Sequence, residues 1–206
     1  MGKWTRRGVL SAGVLGGTGL VIGIAVRPGN PTETAGHLVA GEGENLLHIY
    51  LKIDAENRAT AILPHSEMGQ GAQTALTQML AEELDADWDL MSFEEAPADG
   101  AYANNALGRA YLFKGINFPD SVVPTVDGLM LNVADAIGMQ VTGGSLSIRA
   151  TGQYFLRAAG ASVREMLVKT ASKVWGVPES EIRTAKSVLH HDGSGRSAPY
   201  SEFAAA

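Results

Sequence analysis

The sequence predicts an α/β (α+β) fold over residues 44–206, on three observations. First, Leu46 to Asp54, LLHIYLKID, alternates apolar and polar residues with the two-residue period of a strand. Second, Leu76, Met79, Leu80 and Leu84 stand at i, i+3, i+4 and i+8, the stripe of a helix that turns one face to a core. Third, a long tract ending at Gly176 and Pro178 places Val163, Met166, Leu167, Ala171 and Val174 along one helical face. A hydrophobic content of 45% against 18% charged residues supplies enough apolar surface for a packed core.

Residues 1–43 are set apart as a targeting segment and linker. Lys3, Arg6 and Arg7 precede an uncharged run from Gly8 to Val26, close to the ~20 residues that span a bilayer. Thr5-Arg6-Arg7-Gly8-Val9-Leu10 resembles a twin-arginine export signal, a mark read by a receptor. Gly13, Gly16, Gly17, Gly19 and Gly23 make the run only mildly hydrophobic, and Gly23-Ile24-Ala25 is a weak small-x-small cleavage candidate. The expectation is a retained anchor that leaves the protein in the periplasm, attached to the inner membrane. Twin-arginine export moves folded proteins, which suits a chain whose cofactor is inserted before export. Pro28 and Pro31 begin a linker that reaches Gly43.

In the body, Arg58 to Pro64 forms the strand after Leu46–Asp54, across a tight turn at Glu56-Asn57. A helix is expected over 73–86 and a further strand from Trp88 to Phe93. Residues 96–128 carry Pro97, Pro119, Pro124, Gly100, Gly108 and Gly115 without periodicity, a loop long enough to be functional or held by a partner. A short helix is expected over 128–137, and Ser147 is the expected cap of the long helix. The tail predicts a hairpin about Asp192-Gly193 and then a helix start, SEFAAA, so the chain reads as part of a longer or split polypeptide.

The net charge of −6, without clustered Lys and Arg, argues against nucleic acid as a partner. Eight acids and no basic residue lie between Glu82 and Asp99. Five basic residues and one acid, Glu165, lie between Arg149 and Lys173. Both clusters read as solvated faces of surface elements. The absence of cysteine excludes disulfides, a thiol nucleophile, a cysteine zinc site and a protein-thiolate iron–sulfur cluster on this chain. There is no Walker loop, no GxGxxG and no histidine pattern of metal-ligand spacing.

Two glycine turns each lead into a helix: Gly69-Gln70-Gly71 and Gly143-Gly144-Ser145-Leu146-Ser147. Helix starts carry unpaired N–H groups and partial positive charge, and glycine lets a ligand approach the backbone. Gln70, Ser145 and Ser147 add side-chain donors and acceptors. If the turns converge, they suit an anionic, hydrogen-bond-rich ligand such as a phosphorylated cofactor. Taken singly, each is equally a tight turn before a helix.

EMGQGAQTALTQMLAEELDADW, together with TGGSLSIRATGQYFLRAAGASVREMLVKTASKVWGVP, resembles the molybdopterin-binding subunit of the xanthine dehydrogenase/aldehyde oxidase family. The nearest branch is typified by the isoquinoline 1-oxidoreductase large subunit and the membrane-bound bacterial aldehyde dehydrogenases. The resemblance covers about residues 40–206 and implies a molybdopterin-binding domain with a mixed sheet and packed helices, incomplete in this chain. It implies that Gly69, Gln70 and Gly71 lie against the molybdopterin, usually its cytosine dinucleotide form, with the Gln70 amide bonded to it. It further implies that Gly144, Ser145 and Ser147 hold the pterin or its phosphate and that Gln153 makes another contact. Arg149 is our added candidate for the phosphates.

The activity implied is oxidation of an aldehyde or N-heterocycle with oxygen from water. Electrons then pass to a [2Fe-2S] small subunit and onward to a membrane cytochrome c subunit carrying haem c. The family's catalytic glutamate and its Gly-Gly-Gly-Phe-Gly stretch are not in this sequence, and Glu67, Glu82 and Glu83 are poor substitutes for that base. No catalytic residue is therefore assigned, and the remainder of the molybdenum subunit is an expected partner. His65 reads as a structural hydrogen-bonder. The alternatives are a non-catalytic, membrane-anchored scaffold subunit and an exported binding protein.

Overall fold

The computed structural model describes residues 36–104, 113 and 116–205. Residues 1–35 of the expected leader and linker over 1–43, and Gly108 and Gly115, lie outside the described residues. Among the described residues no helix is long and apolar enough to cross a membrane.

Four strands form a mixed sheet in the order β1-β2-β3-β4: β1 (Glu44–His48), β2 (Leu51–Asp54), β3 (Ala59–Leu63) and β4 (Met91–Glu95). The first two pairings are antiparallel and β3 runs parallel to β4. The expected single strand over 46–54 is thus two strands of a hairpin that reverses at Ile49-Tyr50. No glycine, proline or asparagine marks this reversal. It is driven by burial, since Ile49 and Tyr50 both enter the core and the Tyr50 ring stands 5.9 Å from Tyr102 and 6.3 Å from Phe155. The β2–β3 turn follows expectation, with Asn57 in the left-handed region at φ 66°.

Helix α1 (Ala72–Leu84) crosses from β3 to β4, as a parallel pairing requires. Leu76, Leu80 and Leu84 are fully buried. The expected strand over 88–93 begins instead as a 3-10 turn, Trp88–Leu90, and only then becomes β4. Asp87 causes this: its side chain accepts the Asp89 N–H and caps the turn. Helix α2 (Val123–Ala136) begins five residues before the expected 128, with a proline in its first turn where the missing N–H costs nothing.

The long helical run is continuous but not uniform. It comprises α3 (Gly144–Ser147), a π-helical segment (Ile148–Leu156) and α4 (Arg157–Trp175), and ends at Gly176 with φ 67°. Ser147 is not its cap: the run starts at Gly144, and Ser147 is buried inside it. The buried face of α4 is Ala159, Gly160, Val163, Leu167 and Ala171. Met166 and Val174, expected on that face, are 43% and 62% exposed, because the interior follows a narrower i, i+4 stripe.

A second, antiparallel sheet follows: β5 (Ile182–Ala185), β6 (Val188–His191) and β7 (Arg196–Pro199). The expected hairpin about Asp192-Gly193 joins β6 to β7, while an unforeseen one turns at Lys186-Ser187. Helix α5 (Tyr200–Ala204) closes the chain on the core, where Tyr200 donates its O–H to the Leu84 carbonyl at 2.8 Å.

α1 and α4 pack face to face, and one hydrophobic core joins both sheets to these helices and α5. Two glycines permit the close helix contact. A Cβ at Gly160 would stand 2.5 Å from the Leu80 carbonyl oxygen, and one at Gly152 would strike the Met79 sulfur. The two charge clusters are not merely solvated faces. Arg157 Nε donates to Glu83 at 2.7 Å, Arg164 bridges to Asp85 at 3.0 Å, and Lys52 pairs with Glu94 and, at 2.9 Å, with Glu44. The basic helix face thus sits on the acidic end of α1.

Candidate functional site

Hydrogen bonds join the segments that flank the two glycine turns. His65 follows β3 and is 2% exposed; its Nε2 lies 2.6 Å from Thr151 Oγ1 in the π-helical segment. One residue on, the Ser66 N–H donates to Thr142 Oγ1 at 3.0 Å. These two bonds join the segment before Gly69 to the segments on both sides of Gly144, so that turns about 75 residues apart in sequence share one end of the molecule. His65 is the structural hydrogen-bonder expected from sequence. Burial is the main cause that lowers its pKa, from 6.5 to about 4, with the Val141 carbonyl opposing. The ring is therefore neutral at pH 7.

The glycines are open to approach. Gly69, Gly71 and Gly144 hold positive φ of 87°, 73° and 49°, and nothing lies within 4 Å of where a Cβ would stand. Gly144, Ser145, Arg149 and Gln153 are exposed, the last two on the π-helical segment. π-helical turns are rare and recur at functional sites. Here the segment presents Arg149 and Gln153 outward while burying Thr151 against His65.

Three polar groups are bonded within the chain. The Gln70 amide folds onto its own loop: Oε1 accepts the Met68 N–H at 2.5 Å and Nε2 donates to the Ser66 carbonyl at 2.8 Å. One N–H and one lone pair of the amide remain for a ligand. Ser147 is buried and its hydroxyl accepts the Gly143 N–H at 2.7 Å, so its side chain orders the turn from within. The start of α1 already holds an anion, Glu67, whose carboxylate accepts the N–H of Gly71 at 2.9 Å and of Gln73 at 3.3 Å. Among the described residues the helix start at Gly144 has no side-chain cap of this kind.

Sequence reasoning weighed Glu67 only as a base, not as a clasp on the loop, and did not single out Thr142 or Thr151. An acid close before a helix is a known favourable pattern, so Glu67 carried a signal. The two threonines act only through tertiary contact and carried none. Among the described residues no group of His, Asp and Glu is arranged to hold a metal ion. Two surface hollows among the described residues, of about 360 Å³ beside Trp88 and Phe93 and about 610 Å³ beside Arg164 and Arg183, lie at neither turn.

No family model matches the chain. It is similar to isoquinoline 1-oxidoreductase subunit beta of Brevundimonas diminuta, at 35% identity over 160 residues, which is 77% of this chain and 16% of that protein. It is also similar to the membrane-bound aldehyde dehydrogenase [pyrroloquinoline-quinone] of Gluconacetobacter polyoxogenes, at 25% identity over 92% of this chain and 20% of that protein. Quinoline 2-oxidoreductase from Pseudomonas putida 86 aligns structurally over 75% of this chain and 15% of its own, with a TM-score of 0.46 and 15% identity. The chain thus spans about one fifth or less of the curated relatives it matches. Its likeness to the first of them, carried across both glycine turns, places it with the isoquinoline 1-oxidoreductase beta subunits: the chain belongs to the molybdopterin-binding subunits of the xanthine dehydrogenase/aldehyde oxidase family.

Proposed function

We propose that this chain forms one wall of a molybdenum-cofactor site in an enzyme that oxidises an aldehyde or N-heterocycle with oxygen from water. The observation that carries this reading is that the segments flanking the two open glycine turns are hydrogen-bonded to each other, through His65–Thr151 and Ser66–Thr142. The residues present fit a pterin carrying phosphates. Gly69 and Gly71 admit a flat, hydrogen-bonding ring system, and Gln70 offers the uncommitted N–H and lone pair of its amide. Gly144 and Ser145 offer backbone N–H groups and a hydroxyl to a phosphate, with Arg149 and Gln153 exposed on the adjoining π-helical segment. Ser147 supports that turn from inside. When bound, the group supplies the two-electron oxidation; the protein binds, orients and shields it. We take the bound form to be molybdopterin cytosine dinucleotide.

In this reading the catalytic base lies elsewhere in the subunit. Electrons leave to a [2Fe-2S] small subunit and a cytochrome c subunit carrying haem c, and the leader directs the complex to the periplasmic face of the inner membrane. The names of the two relatives offer the substrate classes, an isoquinoline and an aldehyde. The second name also carries a different cofactor, pyrroloquinoline quinone, so metal analysis is decisive. Near-stoichiometric molybdenum in the purified complex supports the proposal, and its absence overturns it.

The inward commitments of Gln70, Ser147 and Glu67 favour a second reading, a non-catalytic scaffold subunit whose site is closed on itself. Gln70→Ala separates the two. Gln70 is exposed, so fold and subunit assembly should survive. Activity should fall by roughly one to two orders of magnitude, as expected when a hydrogen bond to a charged or polarised group is lost. Unchanged activity removes Gln70 from the site.

A further inference from the structure

Gly69 and Gly71 both sit at positive φ, in a loop whose backbone is freer in the unfolded chain than any other residue type would leave it. Two side chains nevertheless close the loop. Gln70 bonds back to Met68 and Ser66, and Glu67 reaches forward to Gly71 and Gln73 with one oxygen each. Glu67 therefore spans the turn from outside and ties it to the first residues of α1. The Gln73 side chain is held in its own right, by Nε2 donating to Glu95 at 3.0 Å, so the far anchor is rigid.

Resting on the function proposed above, we propose that Glu67 is a positioning residue for the cofactor site: its two-oxygen clasp on the Gly71 and Gln73 N–H groups sets the loop in which Gln70 and the glycine backbone face the ligand. The N–H groups about it, Gly71 first, also hold its carboxyl below the usual carboxylate range, as a clasped carboxylate requires. Glu67 itself is exposed and makes no part of the core, so its loss leaves the fold intact. A cap that serves only α1 would move stability and nothing else. A positioning residue moves the site while the rest of the protein stays as it was.

The experiment uses the intact purified complex with Glu67→Ala and Glu67→Gln. Three measurements are made: molybdenum content, kcat and KM, and hydrogen exchange of the peptide covering residues 66–74. Glu67→Ala is expected to speed exchange in that peptide about tenfold or more and to lower molybdenum content or kcat by about tenfold, with exchange elsewhere unchanged. Glu67→Gln keeps an oxygen that accepts the Gly71 N–H and is expected to recover most of both losses. Faster exchange with molybdenum content and kcat unchanged overturns the inference, as does a Glu67→Gln variant as impaired as Glu67→Ala. Wild-type complex that contains no molybdenum overturns the proposed function and this inference together. Normal wild-type molybdenum with unaffected variants overturns this inference alone.

Discussion

Replacing Gly160 by valine is expected to lower the thermal unfolding midpoint by roughly 3–10 °C, the consequence of about 1–3 kcal/mol of overpacking in a domain of this size. The reason is what the new side chain meets. A Cβ at Gly160 would stand 2.5 Å from the Leu80 carbonyl oxygen, 3.1 Å from the Leu84 nitrogen and 3.1 Å from the Glu83 Cβ. Two of the three are backbone, so the helices must part. Parting loosens Leu76, Leu80, Leu84, Val163 and Leu167, all of them at most 2% exposed. At Gly152 the obstacle is the end of the flexible Met79 side chain and the tip of Leu76, so Gly152→Ala should cost less. Val174→Ala on the same helix is the control, since Val174 is 62% exposed and should change stability by no more than about 0.5 kcal/mol. Circular-dichroism melts of the three variants check the order. A Gly160→Val protein that melts with the wild type would remove the close contact between α1 and α4.

The second large effect is on pH. In the unfolded chain the His65 imidazole takes up its proton near 6.5, whereas in the folded protein it does so only near 4. Between these values the unfolded state binds the extra proton, so stability falls as pH falls. The loss begins near pH 6.5 and is complete below pH 4, where it amounts to about 3 kcal/mol. His65→Gln does not titrate and its amide still extends towards Thr151, so its unfolding free energy should be flatter over that range. Denaturant titrations of both proteins at several pH values between 7 and 4 provide the test. Equal slopes would show that His65 does not carry the effect.

Burial and periodicity made most of the fold legible. Leu76, Leu80 and Leu84 fall where an i, i+4 stripe puts them, and Gly176 ends α4 as glycine ends helices. The miss at Ile49-Tyr50 has a clear cause. A strand that reverses on two buried apolar residues looks, in sequence, like a strand that continues. The miss at Met166 and Val174 came from extending a stripe past the width of the groove that α1 provides. At the candidate site the glycines could be read because only glycine tolerates their backbone without strain, as Gly69, Gly71 and Gly144 show. What the polar side chains do there could not be read. Gln70 and Ser147 turn inward to neighbours a few residues away, and either direction satisfies the same chemistry. Thr142 and Thr151 matter only because the chain brings them back to Ser66 and His65. The charge clusters show the same limit: their composition was plain, but their mutual pairing, Arg157 with Glu83 and Arg164 with Asp85, is a product of docking.

The widened stretch Ile148–Leu156 works as a phase adjuster between two parts of one rod. Each residue of an ordinary α-helix advances the azimuth by about 100°. Loss of a single position there, with the winding of the remaining residues unchanged, would leave Val163, Leu167 and Ala171 seated but swing Gly143 to Ser147 by about a quarter turn around the axis. Thr142 would no longer point at Ser66, and the two loops would face different directions. The angular relation between the anchored half of this rod and its tip at Gly143 to Ser147 is thus encoded in a residue count, and insertions or deletions in these nine positions should be far less tolerated than substitutions on their outer side.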